Sequence, residues 1–254
     1  MAYWKRTGEA SFAPTEHVGG AWDAEEQHIA PAMGLLAHCV ELDRDARRDD
    51  APAISRATYD ILGPVPLEEV TVSVSVERPG RTIELVRAVA SHDGRAFLVL
   101  TAWLMAERDT TALAGSELPA IPGPDATPAW DMTLWPGGFI RSLDVRRTLL
   151  AAGRSVVWAR TPHDLVEGEE ASRLAAVAGL LDITNGVSPR VDPKVVAFPN
   201  LDLTAHLLRS PADGWLGLDT TVSFGPTGLG ITSSVVHDAH GVLGTTAQTL
   251  TVRP

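Results

Sequence analysis

The chain contains one cysteine, Cys39, in 254 residues, which excludes an intrachain disulfide. In an apolar, helix-patterned stretch its thiol is expected to be a small buried hydrophobe. No stretch approaches 18 consecutive apolar residues, so no ordinary membrane-spanning helix is expected. The opening MAYWKRTGEASF lacks the apolar core of a signal peptide, and a cytoplasmic location is expected. Positive charge is also scarce. Lys and Arg number 21 against 32 Asp and Glu, a formal net charge of −11. A bare phosphate backbone would be repelled, so nucleic acid is not expected as a partner. A small anionic ligand is still admissible, because Arg side chains and helix N-termini supply local positive potential.

Several catalytic signatures are missing as well. There is no G-x-S-x-G elbow, which argues against a serine hydrolase of the α/β type. There is no P-loop, no H-E-x-x-H and no paired cysteine, so neither metal nor cofactor is expected. HDAH (237–240) sets two histidines three apart at a strand–turn junction, where both imidazoles cannot face one ion. GPTGLG (225–230) is followed by strand-like residues rather than a helix, so it reads as a turn and not as a dinucleotide loop.

Composition is 44% hydrophobic, enough for one large core or two modest ones. LAGSELPAIPGPDATPA (113–129) carries four prolines and no apolar period, and reads as a linker. It separates residues 1–112 from 130–254, and the two parts repeat one order of elements. In the first, HIAPAMGLLAHCVELD (28–43) places Ile29, Met33, Leu36 and Val40 at helical spacing, with Pro31 tolerated in the first turn. Strand-like runs SRATYDIL, VTVSVSVER, TIELVRAVAS and FLVLTAWLMA follow, divided by Pro- and Gly-containing turns. In the second, EASRLAAVAGLLDI (170–183) reads as a buried helix stopped by Asn185-Gly186. NLDLTAHLLR, WLGLDTTVSF, GITSSVVHD and VLGTTAQTLTV then read as strands. Each part opens on an aromatic, Gly-rich lead-in, GGAWD (19–23) and LWPGGFIR (134–141). A helix followed by about four antiparallel strands, twice over, is an α+β pattern in which each helix must cover one sheet face.

The polar residues set in the last strands are Asp202, Thr204, Ser223 and Gln248. The period of two puts Ser223 on one face with Asp219 and Thr221. A carboxylate, a hydroxyl and a carboxamide could together hold a water for general-base hydrolysis. They could equally be ordinary outward-facing residues of a half-wet sheet.

The stretch from NLDLTAHLLR to the end, with its L-D…W…G-x-G…D-x-x-G…Q-T-L order, resembles the C-terminal half of the acyl-CoA thioesterase II family. SRATYDILGPVPLEEVTVSVSVERPGRTIELVRAVASHDGRAFLVLTAWLMA is similar to its first half, with the P-x-P and R-x-G-R turns. The resemblance spans about Gly19 to Val252. It implies a tandem hotdog fold, each unit a long antiparallel sheet wrapped around a helix. It implies hydrolysis of acyl thioesters such as acyl-CoA, and assembly into a homo-oligomer. Carried over along the chain, it implies a catalytic set of Asp202, Ser223 (with Thr221 as fallback) and Gln248. Substrate contacts fall at His28, Ala30 and Met33, with oxyanion donors at the start of the first helix near His28–Ala30. The first unit, which offers Thr101 or Trp103 where the repeat places Gln248, is expected to lack the catalytic set. Glu41 and Asp182 are rival carboxylates on the helices. A non-catalytic acyl-carrier binding protein and a hotdog hydratase or dehydratase are the alternative readings.

Overall fold

The computed structural model describes residues 1–132 and 134–254. The first half contains strands β1 (Ala2–Arg6) and β2 (Ser11–Pro14), helix α1 (Ile29–Arg47), and strands β3 (Ala53–Ile61), β4 (Val70–Arg78), β5 (Ile83–His92) and β6 (Arg95–Met105). The second half begins with the short helix α2 (Gly138–Arg141) and strands β7 (Asp144–Ala151), β8 (Arg154–Arg160) and β9 (Asp164–Val166). Helix α3 (Arg173–Ala178), a 3-10 turn (Leu181–Ile183) and helix α4 (Thr184–Val187) come next. Strands β10 (Asp202–Leu207), β11 (Leu216–Phe224), β12 (Leu229–Asp238) and β13 (Gly241–Thr251) end the chain. This is the tandem hotdog expected from the resemblance.

The described strands join in one sheet, in the order β7-β8-β11-β12-β13-β10-β3-β6-β5-β4-β2-β1-β9. The halves meet where β10 pairs antiparallel with β3, Thr204 opposite Thr58. They meet again where β1 runs parallel to β9. The hairpin pair read as a repeat is present, β5–β6 and β12–β13. The hairpin β7–β8 and the strands β1, β2 and β9 were not expected. VVWA is the apolar signal for β8, and Gly153, at φ +73°, makes its turn. The proline-rich 113–129 segment lies along the second half. Trp158 Nε1 donates to the Pro122 carbonyl (2.8 Å) and His237 Nε2 to that of Pro119 (2.9 Å).

Helix α1 is the first half's central helix. Met33, Leu35, Leu36 and Val40 are fully buried, each removal from water contributing roughly 1.5–3 kcal/mol. The Tyr59 hydroxyl donates to the Met33 carbonyl (3.1 Å). Cys39 is buried, its thiol pushed up to about 12 by desolvation.

The second half departs from the expectation. The continuous helix read over 170–183 stops at Ala178. The two helices cross where a Cβ on Gly34 would lie 2.9 Å from both the Ala175 carbonyl oxygen and the Gly179 Cα. Gly179 ends α3, donating its N–H to the Ala175 carbonyl. Past this break the backbone turns through Leu181–Ile183. Asn185-Gly186, expected to stop a helix, instead lies inside α4.

The two lead-ins converge. Gly20 and Gly137 both sit at φ +113°. A Cβ on Gly20 would fall 2.4 Å from the Pro136 carbonyl oxygen, and one on Gly137 2.3 Å from that of Gly19. Only glycine allows this backbone-on-backbone approach. It brings Trp22 edge-on to Trp135, with ring centroids 4.8 Å apart.

Candidate active site

Strand periodicity decides which polar residues can meet. In β10, Leu203 and Ala205 are buried in the core, so Asp202, Thr204 and His206 face outward. Asp202 is partly exposed, and its Oδ1 accepts the Thr249 backbone N–H (2.6 Å). Ser223 is exposed on the outer face of β11, since Leu218, Thr220 and Val222 take the inner positions. Thr221 shares that outer face and is exposed too. Gln248 lies on the inner face of β13 beside Thr246 and Leu250, 2% exposed. Asp202 and Ser223 are thus separated from Gln248 by the thickness of the sheet, and the three do not hold one water.

Gln248 instead meets the carboxylate that the helix break exposes. Its Nε2 donates to Asp182 Oδ1 (2.9 Å), and its Oε1 accepts from the Thr184 hydroxyl (2.7 Å). Asn200 Nδ2 donates to the same Oδ1 (2.6 Å) and to the Asp202 carbonyl (3.2 Å). Both amide orientations follow from their partners, because an Asp oxygen and a backbone carbonyl only accept. Asp182 Oδ2 has no partner among the described residues. Burial pushes the Asp182 pKa up to about 7, with the Asn200 and Gln248 hydrogen bonds opposing that rise. A carboxyl so placed exchanges a proton near neutrality.

The same register corrects the repeat. Thr204 pairs with Thr58 and with Ala247, and Thr58 pairs with Thr101. Ala247 therefore corresponds to Thr101, and Gln248 to Ala102, not to Thr101 or Trp103. Ala102 is fully buried and apolar, so the first half has no counterpart of the carboxamide.

Asp182 and Asn200 line a cavity of about 550 Å³ between the two halves. Trp22, Ile29, Ile61, Met132, Trp135 and Ile140 give it apolar walls. Of the expected substrate contacts, His28 lines the cavity. Ala30 and Met33 are fully buried away from it, because α1 is wrapped by core on those faces. Glu41 is also remote. It accepts from the Ser172 hydroxyl, tying α1 to the start of α3, and burial raises its pKa. Asp238 of HDAH is held by a two-pronged contact from Arg209 (2.6 and 2.7 Å). Among the described residues no group of three or more His, Cys, Asp or Glu is placed to hold a metal ion.

Residues 19–105 match the family model described as acyl-CoA thioesterase N-terminal domain, and residues 115–252 match that of the acyl-CoA thioesterase C-terminal domain. Solved structures resemble the whole chain. A hot dog fold protein from Alicyclobacillus acidocaldarius aligns at TM-score 0.74 and 15% identity, covering 98% of this chain and 95% of that one. The tesB protein of Mycobacterium avium subs paratuberculosis aligns at 0.69 and 17%, covering 99% and 96%. The acyl-CoA thioesterase II TesB2 of Mycobacterium marinum aligns at 0.66 and 18%, covering 98% and 95%. At such identities the likeness to these structures concerns the fold. No curated protein matches the chain in sequence.

Proposed function

The chain belongs to the acyl-CoA thioesterase family, and on that premise we propose that it hydrolyses acyl thioesters with Asp182 as general base. The observation that carries this reading is a buried carboxyl at a cavity wall, fixed through one oxygen by two carboxamides and poised near pH 7. The thioester enters between the halves with its acyl group against Trp22 and Trp135. A water on Asp182 Oδ2 attacks the carbonyl carbon and its proton passes to that oxygen. Collapse of the tetrahedral intermediate breaks the C–S bond, and Asp182 returns the proton to the leaving thiolate. Asn200 and Gln248 act by holding the carboxylate, and Thr184 by fixing the Gln248 amide.

The test is thiol release from a panel of acyl-CoAs, aliphatic and aromatic. Turnover by the parent supports the proposal. Tight binding with no turnover would replace hydrolysis by the acyl-carrier reading. In the same assay Asp202→Asn is expected to leave kcat/KM within about two-fold of the parent, since its side chain lies on the outer face of β10 and an asparagine oxygen can still accept the Thr249 N–H. A loss of about a hundred-fold there would return the base to β10. Trp135→Ala is expected to raise KM for apolar acyl groups about ten-fold, the cost of roughly 1.4 kcal/mol of lost aromatic contact. An unchanged KM across the panel would place the acyl group elsewhere.

A further inference from the structure

The start of α1 is short of backbone donors. A helix leaves its first-turn N–H groups without intrahelical partners, and such groups can stabilise a developing oxyanion. Here most are used or missing. The His28 N–H goes to the Val18 carbonyl (2.8 Å). The Ala30 N–H goes to the ring of His28, which is the N-cap, at 3.1 Å on Nδ1. Pro31 has none. At the cavity wall this leaves the Ile29 N–H, with Ile29 and His28 both among the lining residues.

The His28 ring supplies the missing donor. Because Nδ1 accepts from Ala30, the proton of the neutral ring must sit on Nε2. Nε2 has no partner among the described residues. The ring packs on Phe139, centroids 4.3 Å apart, which fixes its plane. Desolvation pushes its pKa down to about 3, so it stays neutral through the physiological range. A neutral imidazole can donate its N–H to a developing alkoxide while keeping its proton.

We propose that His28 is a catalytic residue whose Nε2–H, beside the Ile29 N–H, donates to the thioester oxygen as it becomes an oxyanion. This rests on the hydrolytic reading of the cavity. Asp182 then works on the water, and His28 on the carbonyl.

The role separates from simple helix capping by substitution. His28→Ser keeps a hydroxyl that can cap Ala30 and removes the Nε2 donor. With the acyl-CoA the parent turns over fastest, its kcat is expected to fall about 100-fold, the usual loss of one oxyanion donor. KM should stay within about three-fold, and the midpoint of the pH–rate limb should not move. His28→Gln, which restores an N–H, should recover at least about ten-fold of that loss. A kcat within about three-fold of the parent in His28→Ser would leave only the cap and overturn the proposal.

Ring ¹⁵N spectra of the intact protein give an independent readout. They should show the Nε2–H tautomer from about pH 5 to about pH 8. A ring protonated on Nδ1, or one that titrates in that span, overturns the assignment. If the parent hydrolyses no acyl-CoA, the proposed function fails separately. The donor is then judged by the Nε2 resonance on addition of acetyl-dethia-CoA, a ketone in place of the thioester. A shift upholds the contact and no shift overturns it.

Discussion

Asp182→Asn is expected to lower the rate of thioester hydrolysis by about a thousand-fold or more, and to make the protein more heat-stable above pH 7. The rate follows from the role. Asparagine can accept both carboxamide N–H groups on its Oδ1, so the geometry survives, but it cannot take a proton from water. In the parent, kcat/KM should climb about ten-fold per pH unit below a midpoint near 7 and level off above it, because the base must be unprotonated. The stability change follows from the same number by linkage. The folded pKa of about 7 lies above the ordinary 3.8, so the fold favours the protonated carboxyl. Below pH 3.8 the group is neutral in both states and contributes no difference. Between the two values stability falls as pH rises, and above 7 the full cost of the buried charge is present. Three pH units correspond to at most about 4 kcal/mol. Removing the charge should raise Tm by up to roughly 8–16 °C at pH 8 and hardly at all at pH 4. Calorimetry at the two pH values and thiol release across the range check both halves. A variant that keeps its turnover, or a parent whose rate falls as pH rises through 7, would sink Asp182 as the base.

Gly137→Ala is expected to destabilise the protein by roughly 3 kcal/mol or more, a Tm lower by about 6–12 °C. Two costs combine. The residue holds φ +113°, outside the range an L side chain adopts comfortably. Its new methyl would also lie 2.3 Å from the Gly19 carbonyl oxygen and 2.4 Å from the Gly20 Cα, backbone atoms that cannot rotate away. Since the same crossing brings Trp22 and Trp135 together, the folded fraction should also show a raised KM for apolar acyl groups. Gly168→Ala is the control. It shares a positive φ of +74°, but its methyl would meet nothing within 4 Å, so only the smaller backbone term of about 1 kcal/mol should appear. Equal effects at the two positions would mean the lead-in crossing does not constrain the joint.

The last four strands were legible because each carries an alternating run. LDLTAH and TTAQTL carry their faces in the period of two. That same period should have separated Asp202 from Gln248. With Leu203 and Ala205 inward, Asp202 is outward, whereas Gln248 shares parity with the buried Thr246 and Leu250. Asp182 stands in the sequence as a rival carboxylate at the end of an apolar run, LLDITNG. Its spacing fits one turn more of helix as well as a catalytic loop, and local period does not separate the two. Asn200 carried no signal, since it precedes its strand. The β7–β8 hairpin was hidden among charged residues, its edge strand being half wet along its length.

The sequence by itself determined the duplicated helix-and-sheet order, the buried length of α1, the two glycine-rich lead-ins and the carboxamide of the last strand. These are properties of local period and turn chemistry, which act over a few residues. Tertiary structure decided where α3 stops, because the limit is the clearance between Gly34 and the turn at Gly179, 145 residues along the chain. It also decided that the carboxylate beside Gln248 is Asp182 and not Asp202. A hydrogen bond across 66 residues depends on which face each strand gives to the core, and a charge becomes a base near neutrality only where the fold has taken its water away.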